Sequence, residues 1–201
     1  GTITKLLSQE TGLPYLDTGL LYRELGRLIM KHNVSPDDSI TLSNLAKEIR
    51  PENLTNTLLR NAEHGANASK IAIHKNVRVA LLDYQRTFAK QPGGAILDGR
   101  DIGSVICPEA DLKLFITADV EVRAKPRYDE LIRREINITY EHVLAKLQER
   151  DNRDQSRHLA PLKPCEDAIV INTSVKTISE VMNEVINIYK TKATLFTQLS
   201  K

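Results

Sequence analysis

One stretch of the sequence decides the fold: Ala95-Ile96-Leu97-Asp98-Gly99-Arg100-Asp101-Ile102-Gly103. Its first three residues are apolar and predict a short strand, which ends where the polar residues begin. Asp98, Arg100 and Asp101 then place two carboxylates and a guanidinium at a sheet edge, where the glycines permit close approach of a ligand. The segment predicts either a ligand site or a charged turn whose arginine pairs with its aspartate neighbours.

Three other apolar runs have the same form. They cover residues 15–16, 112–116 and 168–171, and polar residues follow each of them. Helical patterns separate the runs, and strands that alternate with helices predict a parallel sheet in an α/β fold. Because ligands bind beyond the carboxyl ends of the strands in open parallel sheets, the polar clusters mark the predicted site.

Local signals place the ends of several helices. Gly12 is positioned to end a helix that starts at the beginning of the chain, and Thr177 with Glu180 forms a capping box for the last helix. Pro126 lies inside a predicted helix over residues 120–134 and predicts a local kink. No strand precedes the first helix, which suggests that the sequence is truncated.

Composition limits the classes of partner. Lys and Arg (28) nearly balance Asp and Glu (26), for a net charge of +2, so no overall basic field points to nucleic acid or to an anionic membrane. No apolar run approaches the roughly 18 residues of a membrane span, and the start lacks a signal peptide. Cys107 and Cys165 are expected to be reduced thiols, and no residue spacing predicts a metal site. We expect a soluble cytoplasmic protein.

Arginines are the other candidate functional residues. Arg150, Arg153 and Arg157 are spaced three and four apart, with aspartates between them, and can present several guanidinium groups on one helical or loop face. The alternative is a solvated face whose charges pair with each other. Arg23 and Arg78 stand alone in the sequence, and for them the alternative is an ordinary surface position.

Three segments of this sequence resemble motifs of bacterial cytidylate kinases in their residues, order and spacing. The segments are residues 16–23, 97–105 and 149–161. Arg60-Asn61-Ala62-Glu63 and Asn67-Ala68-Ser69 are similar to the nucleotide-binding insertion of that family, and the match covers nearly the whole chain. The resemblance implies a P-loop nucleoside monophosphate kinase fold, with three α/β layers around a parallel central sheet.

The resemblance also implies a division of the chain. Residues 1–201 would form a single domain, with a core over 1–32 and 77–201. An insertion that binds the nucleoside monophosphate would cover about 33–76, and a lid would cover about 148–164.

Carried over position by position, the family motifs imply three groups of site residues. The expected catalytic residues are Arg100, Arg150 and Arg157. The expected substrate-binding residues are Thr18, Arg23, Ser69, Arg78, Asp101 and Asp154. The residues expected to bind the ATP phosphates are Gly1, Thr2 and Arg153, of which the first two match the end of the P-loop.

The implied reaction is transfer of a phosphoryl group from ATP to CMP or dCMP, with Mg²⁺ carried by the nucleotide. The acceptor phosphate has a second pKa near 6, so it is already a nucleophilic dianion and needs no general base. Catalysis then consists of positioning and charge neutralisation, which suits a site rich in arginine and poor in histidine.

Two alternatives remain open at this stage. One is a kinase for another small acceptor, such as UMP or shikimate, and the other is an inactive remnant that binds CMP. Because only Gly1 and Thr2 match the P-loop, we expect little kinase activity from these 201 residues alone. The expected partners are the nucleotides ATP, CMP and dCMP, with no nucleic acid or membrane, and the protein is expected to be a monomer.

Overall fold

The computed structural model describes residues 1–56, 59 and 62–199 of the chain. They form two compact units, one of Gly1–Pro108 with Ser156–Leu162 and the other of Glu109–Gln155 with Lys163–Lys201. Arg60 and Asn61, which the sequence assigns to the nucleotide-binding insertion, lie outside the described residues. No helix in the described part of the chain is long and apolar enough to cross a membrane.

The first unit is mostly helical around one pair of strands. Its elements are α1 (Thr2–Thr11), β1 (Tyr15–Asp17), α2 (Gly19–His32), α3 (Ser39–Lys47), a 3₁₀ helix (Pro51–Thr55), α4 (Ala62–Ile71), α5 (Lys75–Ala89), β2 (Ile96–Asp98) and a π-helical turn (Ile102–Ile106). β1 and β2 are parallel, and Asp17 lies opposite Asp98. Gly12 ends α1 with φ 72°, as its sequence position predicts.

The second unit contains the other pair of strands. Its elements are β3 (Leu114–Thr117), α6 (Val120–Arg133), α7 (Tyr140–Ser156), β4 (Ile169–Asn172) and α8 (Ile178–Leu199). Ser156, the last residue of α7, belongs to the first unit. β3 and β4 are parallel, with Leu114 opposite Ile169. The predicted capping box is confirmed, because Thr177 Oγ1 accepts from the Glu180 amide while Glu180 Oε2 accepts from the Thr177 amide.

These elements confirm the mixed helix and strand architecture and the parallel pairing. The described strands form two separate pairs, so a continuous central sheet in three layers stays a prediction. α6 continues through Pro126, and the kink there also stays a prediction. Helices account for the regular structure described between residues 33 and 76.

The core of the first unit is built on α2. Leu21, Leu25 and Ile29 recur at helical spacing on one face of that helix and are almost completely buried. They pack in one cluster with residues of α3 and α5, including Leu42 and Leu81. α2 is therefore the element that holds the helices of this unit together.

We expect Leu25→Ala to lower the free energy of unfolding by about 2–5 kcal/mol, because the buried methyl groups are lost and a cavity remains. Ile40→Ala is the control, since Ile40 on α3 is 73% exposed and its loss should change stability by about 0.5 kcal/mol or less. Chemical denaturation of both variants measures the difference. Equal unfolding midpoints would contradict the central place of α2 in the core.

Candidate active site

The turn after β1 is locked to the end of β2. Both the amide and the Oγ1 of Thr18 donate to the Asp98 carbonyl, each at 2.9 Å. Gly99 leaves the room for this contact, because a Cβ at position 99 would overlap Thr18 Oγ1 and approach Ile102 Cδ1 to 2.8 Å. The polar segments that follow the two strands therefore share one edge of the sheet.

A buried ion pair lies beside this edge. Arg78, near the start of α5, donates from Nη2 to Asp101 Oδ2, and the two side chains are only 11% and 9% exposed. Arg78 also donates from Nη1 to the Ala72 carbonyl at 3.3 Å. The pair thus joins α5, the end of α4 and the segment that follows β2.

A second arginine acts on the same carboxylate. Burial raises the pKa of Asp101, while the positive charges of Arg78 and Arg157 oppose that rise. Arg157 follows the end of α7, and its Nε donates to the Ala160 carbonyl at 2.9 Å. Three residues that were predicted from distant motifs therefore lie together in the first unit.

Tyr22 completes this cluster, although the sequence did not single it out. Burial raises the pKa of its hydroxyl to about 12; Arg78 opposes the shift and Asp101 adds to it. The hydroxyl is therefore neutral at physiological pH. The only sequence signal is that Tyr22 lies one helical turn after Thr18 on α2, within a motif already assigned to the site.

Arg86 is a second residue that sequence reasoning missed. Its Nε donates to the Ile106 carbonyl at 3.1 Å and its Nη2 to the Val105 carbonyl at 3.2 Å. The amides of Val105 and Ile106 in turn donate to the Asp101 carbonyl at 2.9 and 3.2 Å. Arg86 therefore holds the π-helical turn that follows Asp101, and such turns are frequent at functional sites.

Ser69 and Arg23 lie on the helices around the cluster. Arg23 Nη1 donates to the Leu59 carbonyl at 3.0 Å. The Ser69 hydroxyl on α4 is buried and has no hydrogen-bond partner within the described part of the chain. Ser69 lies three residues before Ala72, on the side of α4 that Arg78 reaches. A buried hydroxyl without a partner suits a site in which a ligand supplies one.

The remaining predicted residues of the first unit lie at the ends of the strand pair. The Gly1 ammonium pairs with Asp98, and Thr4 Oγ1 donates to Asp98 Oδ2 at 3.2 Å. Thr2 is exposed in the first turn of α1, and Arg100 is exposed beside the buried ion pair. The start of α1 therefore lies at the carboxyl end of β2.

The other predicted arginines belong to the second unit. Arg150 Nε lies 3.9 Å from Asp154 Oδ2, and Asp154 is buried. Arg153 Nη2 lies 2.6 Å from Glu149 Oε1, so the self-pairing alternative describes this arginine in the absence of a ligand. No set of three His, Cys, Asp or Glu side chains in the described residues is arranged to hold a metal ion.

Known proteins resemble this chain over most of its length. A family model described as cytidylate kinase matches residues 1–191. The cytidylate kinase of Xanthobacter autotrophicus is 47% identical over 180 residues, which cover 90% of this chain and 86% of that relative. The cytidylate kinase of Paramagnetospirillum magneticum is also 47% identical, over 87% of this chain and 84% of the relative. The cytidylate kinase of Methylocella silvestris is 45% identical, over 87% of this chain and 81% of the relative.

The buried hydroxyl of Tyr22 predicts a specific loss of stability at alkaline pH. Its pKa is 10.0 when unperturbed and about 12 in the folded state, so its contribution is complete below pH 10 and is lost as pH approaches 12. Relative to Tyr22→Phe, we expect the native protein to lose about 1 kcal/mol more between about pH 9 and 11. Urea unfolding across this range measures the loss. Parallel curves for the two proteins would contradict burial of this hydroxyl.

Proposed function

The chain belongs to the cytidylate kinase family, and we propose that it phosphorylates CMP or dCMP through an acceptor site built on the Arg78–Asp101 ion pair. The reaction transfers a phosphoryl group from ATP and gives ADP with CDP or dCDP. The family match over residues 1–191 is the observation that carries this assignment. The comparisons give no support to a kinase for UMP or shikimate, or to an inactive CMP-binding remnant.

Asp101, Arg78 and Ser69 read the cytosine edge in this proposal. Cytosine presents an amino donor beside ring acceptors, whereas uracil presents a carbonyl acceptor and an N–H donor. A carboxylate has enough lone pairs for Asp101 to accept from the amino group while it stays paired with Arg78. The buried Ser69 hydroxyl then finds its partner on the base, which is the support that the structure offers for its role.

The phosphates are bound by arginines and by main-chain amides. Arg23, Arg100 and Arg157 neutralise the acceptor and transferring phosphates in the proposal, and Thr18 contributes a hydroxyl contact. Arg150 and Asp154 contact the sugar or phosphate. Gly1, which precedes α1, and Thr2, its first residue, take the ATP phosphates, since a helix N-terminus favours anions. Arg153 is also proposed to bind ATP phosphate.

The chemical step needs no proton acceptor from the protein. The acceptor phosphate is already a dianion, so the arginines serve to align it with the donor and to offset the repulsion between two anions. Each planar guanidinium group can donate two parallel hydrogen bonds to two phosphate oxygens. The arginines therefore fix the orientation of the phosphate as well as offsetting its charge.

Mg²⁺ enters with ATP in this proposal. The ion prefers phosphate oxygens and water, with one or two protein carboxylates, to a cage made of protein ligands. Asp17 and Asp98 lie opposite each other at the ends of the paired strands, and their carboxylates would supply such ligands. When bound, the ion neutralises charge on the donor phosphates.

The proposal also covers the organisation of the protein. We place the core at 1–32 and 77–201, the acceptor-binding insertion at about 33–76 and the lid at about 148–164. The protein acts as a cytoplasmic monomer whose partners are nucleotides, which its near-neutral charge balance favours over a nucleic-acid partner. Sedimentation at working concentration tests the monomeric state.

Base discrimination is the first test, and it uses a version of the protein extended upstream to complete the P-loop. We expect its kcat/KM for CMP to exceed that for UMP by about a hundredfold, because uracil leaves buried polar groups unpaired. Ser69→Ala should narrow this ratio by about tenfold, since one hydrogen bond to cytosine is lost. It should not lower stability, because the hydroxyl has no partner among the described residues.

Ser8→Ala is the matched control for Ser69→Ala. Ser8 Oγ donates to the Leu13 carbonyl at 2.6 Å, so its loss should lower the thermal midpoint and leave the ratio of CMP to UMP unchanged. Coupled assays with both acceptors provide the ratio. Equal kcat/KM values for CMP and UMP in the extended protein without either substitution would refute the assignment of the base site.

Arg157 provides a separate test of phosphate binding. In the same P-loop-complete version, Arg157→Lys should lower kcat by at least about tenfold, because lysine keeps the charge but loses the paired hydrogen-bond geometry. The control is Arg134→Lys, at the exposed end of α6, where we expect no change in turnover. Near-normal kcat in Arg157→Lys would remove Arg157 from the catalytic set.

A further inference from the structure

Gly65, on α4, lies directly beside the guanidinium group of Arg23. A Cβ at position 65 would lie 2.9 Å from both Nη1 and Nη2 of Arg23 and 3.1 Å from Cζ. Real Cβ atoms almost never lie as close to another atom as the two Nη separations require, and the separation from Cζ is tighter than most real Cβ contacts. The guanidinium group therefore occupies the space that any side chain at position 65 would need.

The same guanidinium group is held on another side by the main chain. Arg23 Nη1 donates to the Leu59 carbonyl at 3.0 Å, while the group lies against the backbone of α4 at Gly65. Arg23 itself comes from α2, so two contacts from another part of the unit fix its position. An arginine that is ordered before the ligand arrives loses less conformational freedom on binding a phosphate.

The backbone gives no other reason for glycine at this position. The φ angle of Gly65 lies outside the left-handed region, and the residue is inside α4, where glycine is less favourable than alanine. Gly26 on α2 provides a contrast, because a Cβ there would meet main-chain atoms, including the His64 carbonyl at 3.0 Å. Gly26 serves the close packing of two helices, whereas Gly65 makes room for one side chain.

We propose that Gly65 is a positioning residue for the phosphoryl acceptor. By lacking a side chain, it lets the Arg23 guanidinium group lie against α4 in the orientation that receives the phosphate of CMP. The inference rests on the proposed function, through the role of Arg23 in phosphate binding. It adds a residue that contacts no substrate and acts only through Arg23.

Gly65→Ala separates this role from a structural one. Only the tip of a flexible side chain has to move, and alanine is the better helix former, so Tm should stay the same or rise by about 2–4 °C. The Kd and the KM for CMP should both increase by about tenfold, since a charge-assisted phosphate contact is weakened. Titration calorimetry, steady-state kinetics and thermal denaturation provide the three values.

A double-mutant cycle shows whether the effect passes through Arg23. In an Arg23→Ala background, Gly65→Ala should cause no further loss of CMP affinity, because the displaced group is already absent. Additive losses would overturn the inference. Normal CMP affinity in Arg23→Ala would instead refute the phosphate role of Arg23, whereas weakened affinity in Arg23→Ala with none in Gly65→Ala would overturn only the role of Gly65.

Ala66→Gly is the matched control for helix stability. Ala66 is the next residue on α4 and is exposed, so this change lowers helix propensity without entering the space of Arg23. We expect a lower Tm and unchanged CMP affinity. If Ala66→Gly weakens CMP binding as much as Gly65→Ala does, the effect comes from α4 as a whole and the inference is wrong.

Discussion

The buried ion pair of Arg78 and Asp101 is the interaction on which the proposed acceptor site depends. Removing two charges from water costs on the order of several kcal/mol per ion, and this is offset only when the geometry is good and further hydrogen bonds are made. The second hydrogen bond of Arg78, to the Ala72 carbonyl, meets that requirement. Arg86 adds to it by holding the turn after Asp101 through two carbonyls. The pair therefore fixes where α4, α5 and the end of β2 lie relative to each other.

Several features around this pair lower stability and suit a ligand. The Ser69 hydroxyl is buried without a hydrogen-bond partner among the described residues. Burial also raises the pKa of Asp101, because it disfavours the charged carboxylate. Desolvated and strongly perturbed groups of this kind cluster at functional sites. Each of them gains when a polar ligand enters, because the ligand supplies the missing hydrogen bond or shares the carboxylate. The same groups are the ones that we propose to discriminate between bases.

The sequence predicts the elements better than it predicts the contacts between them. The left-handed Gly12 and the Thr177–Glu180 capping box follow from local rules and are found where those rules place them. The strands lie within one or two residues of the predicted apolar runs. The association of Arg78 with Asp101 came only from family resemblance, since no local spacing relates them. Tyr22 and Arg86 were missed because their roles depend on burial and on carbonyls from another segment. Arg153 shows the reverse, since its i,i+4 neighbour Glu149 is a local partner that spacing alone can identify.

Core packing and the proposed substrate contacts share one helix. α2 buries Leu21 and Leu25 in the core, and the same helix carries Tyr22 and Arg23, while Thr18 precedes its first turn. A helix fixes these positions relative to each other, with about 1.5 Å of rise and 100° of rotation per residue. Any change that shifts the apolar face of α2 must therefore also move the groups that we propose to contact the nucleotide. The packing of the apolar face of α2 therefore sets the positions of the residues that we propose to bind the acceptor, and the role proposed for Gly65, where α4 meets Arg23 of α2, is one consequence.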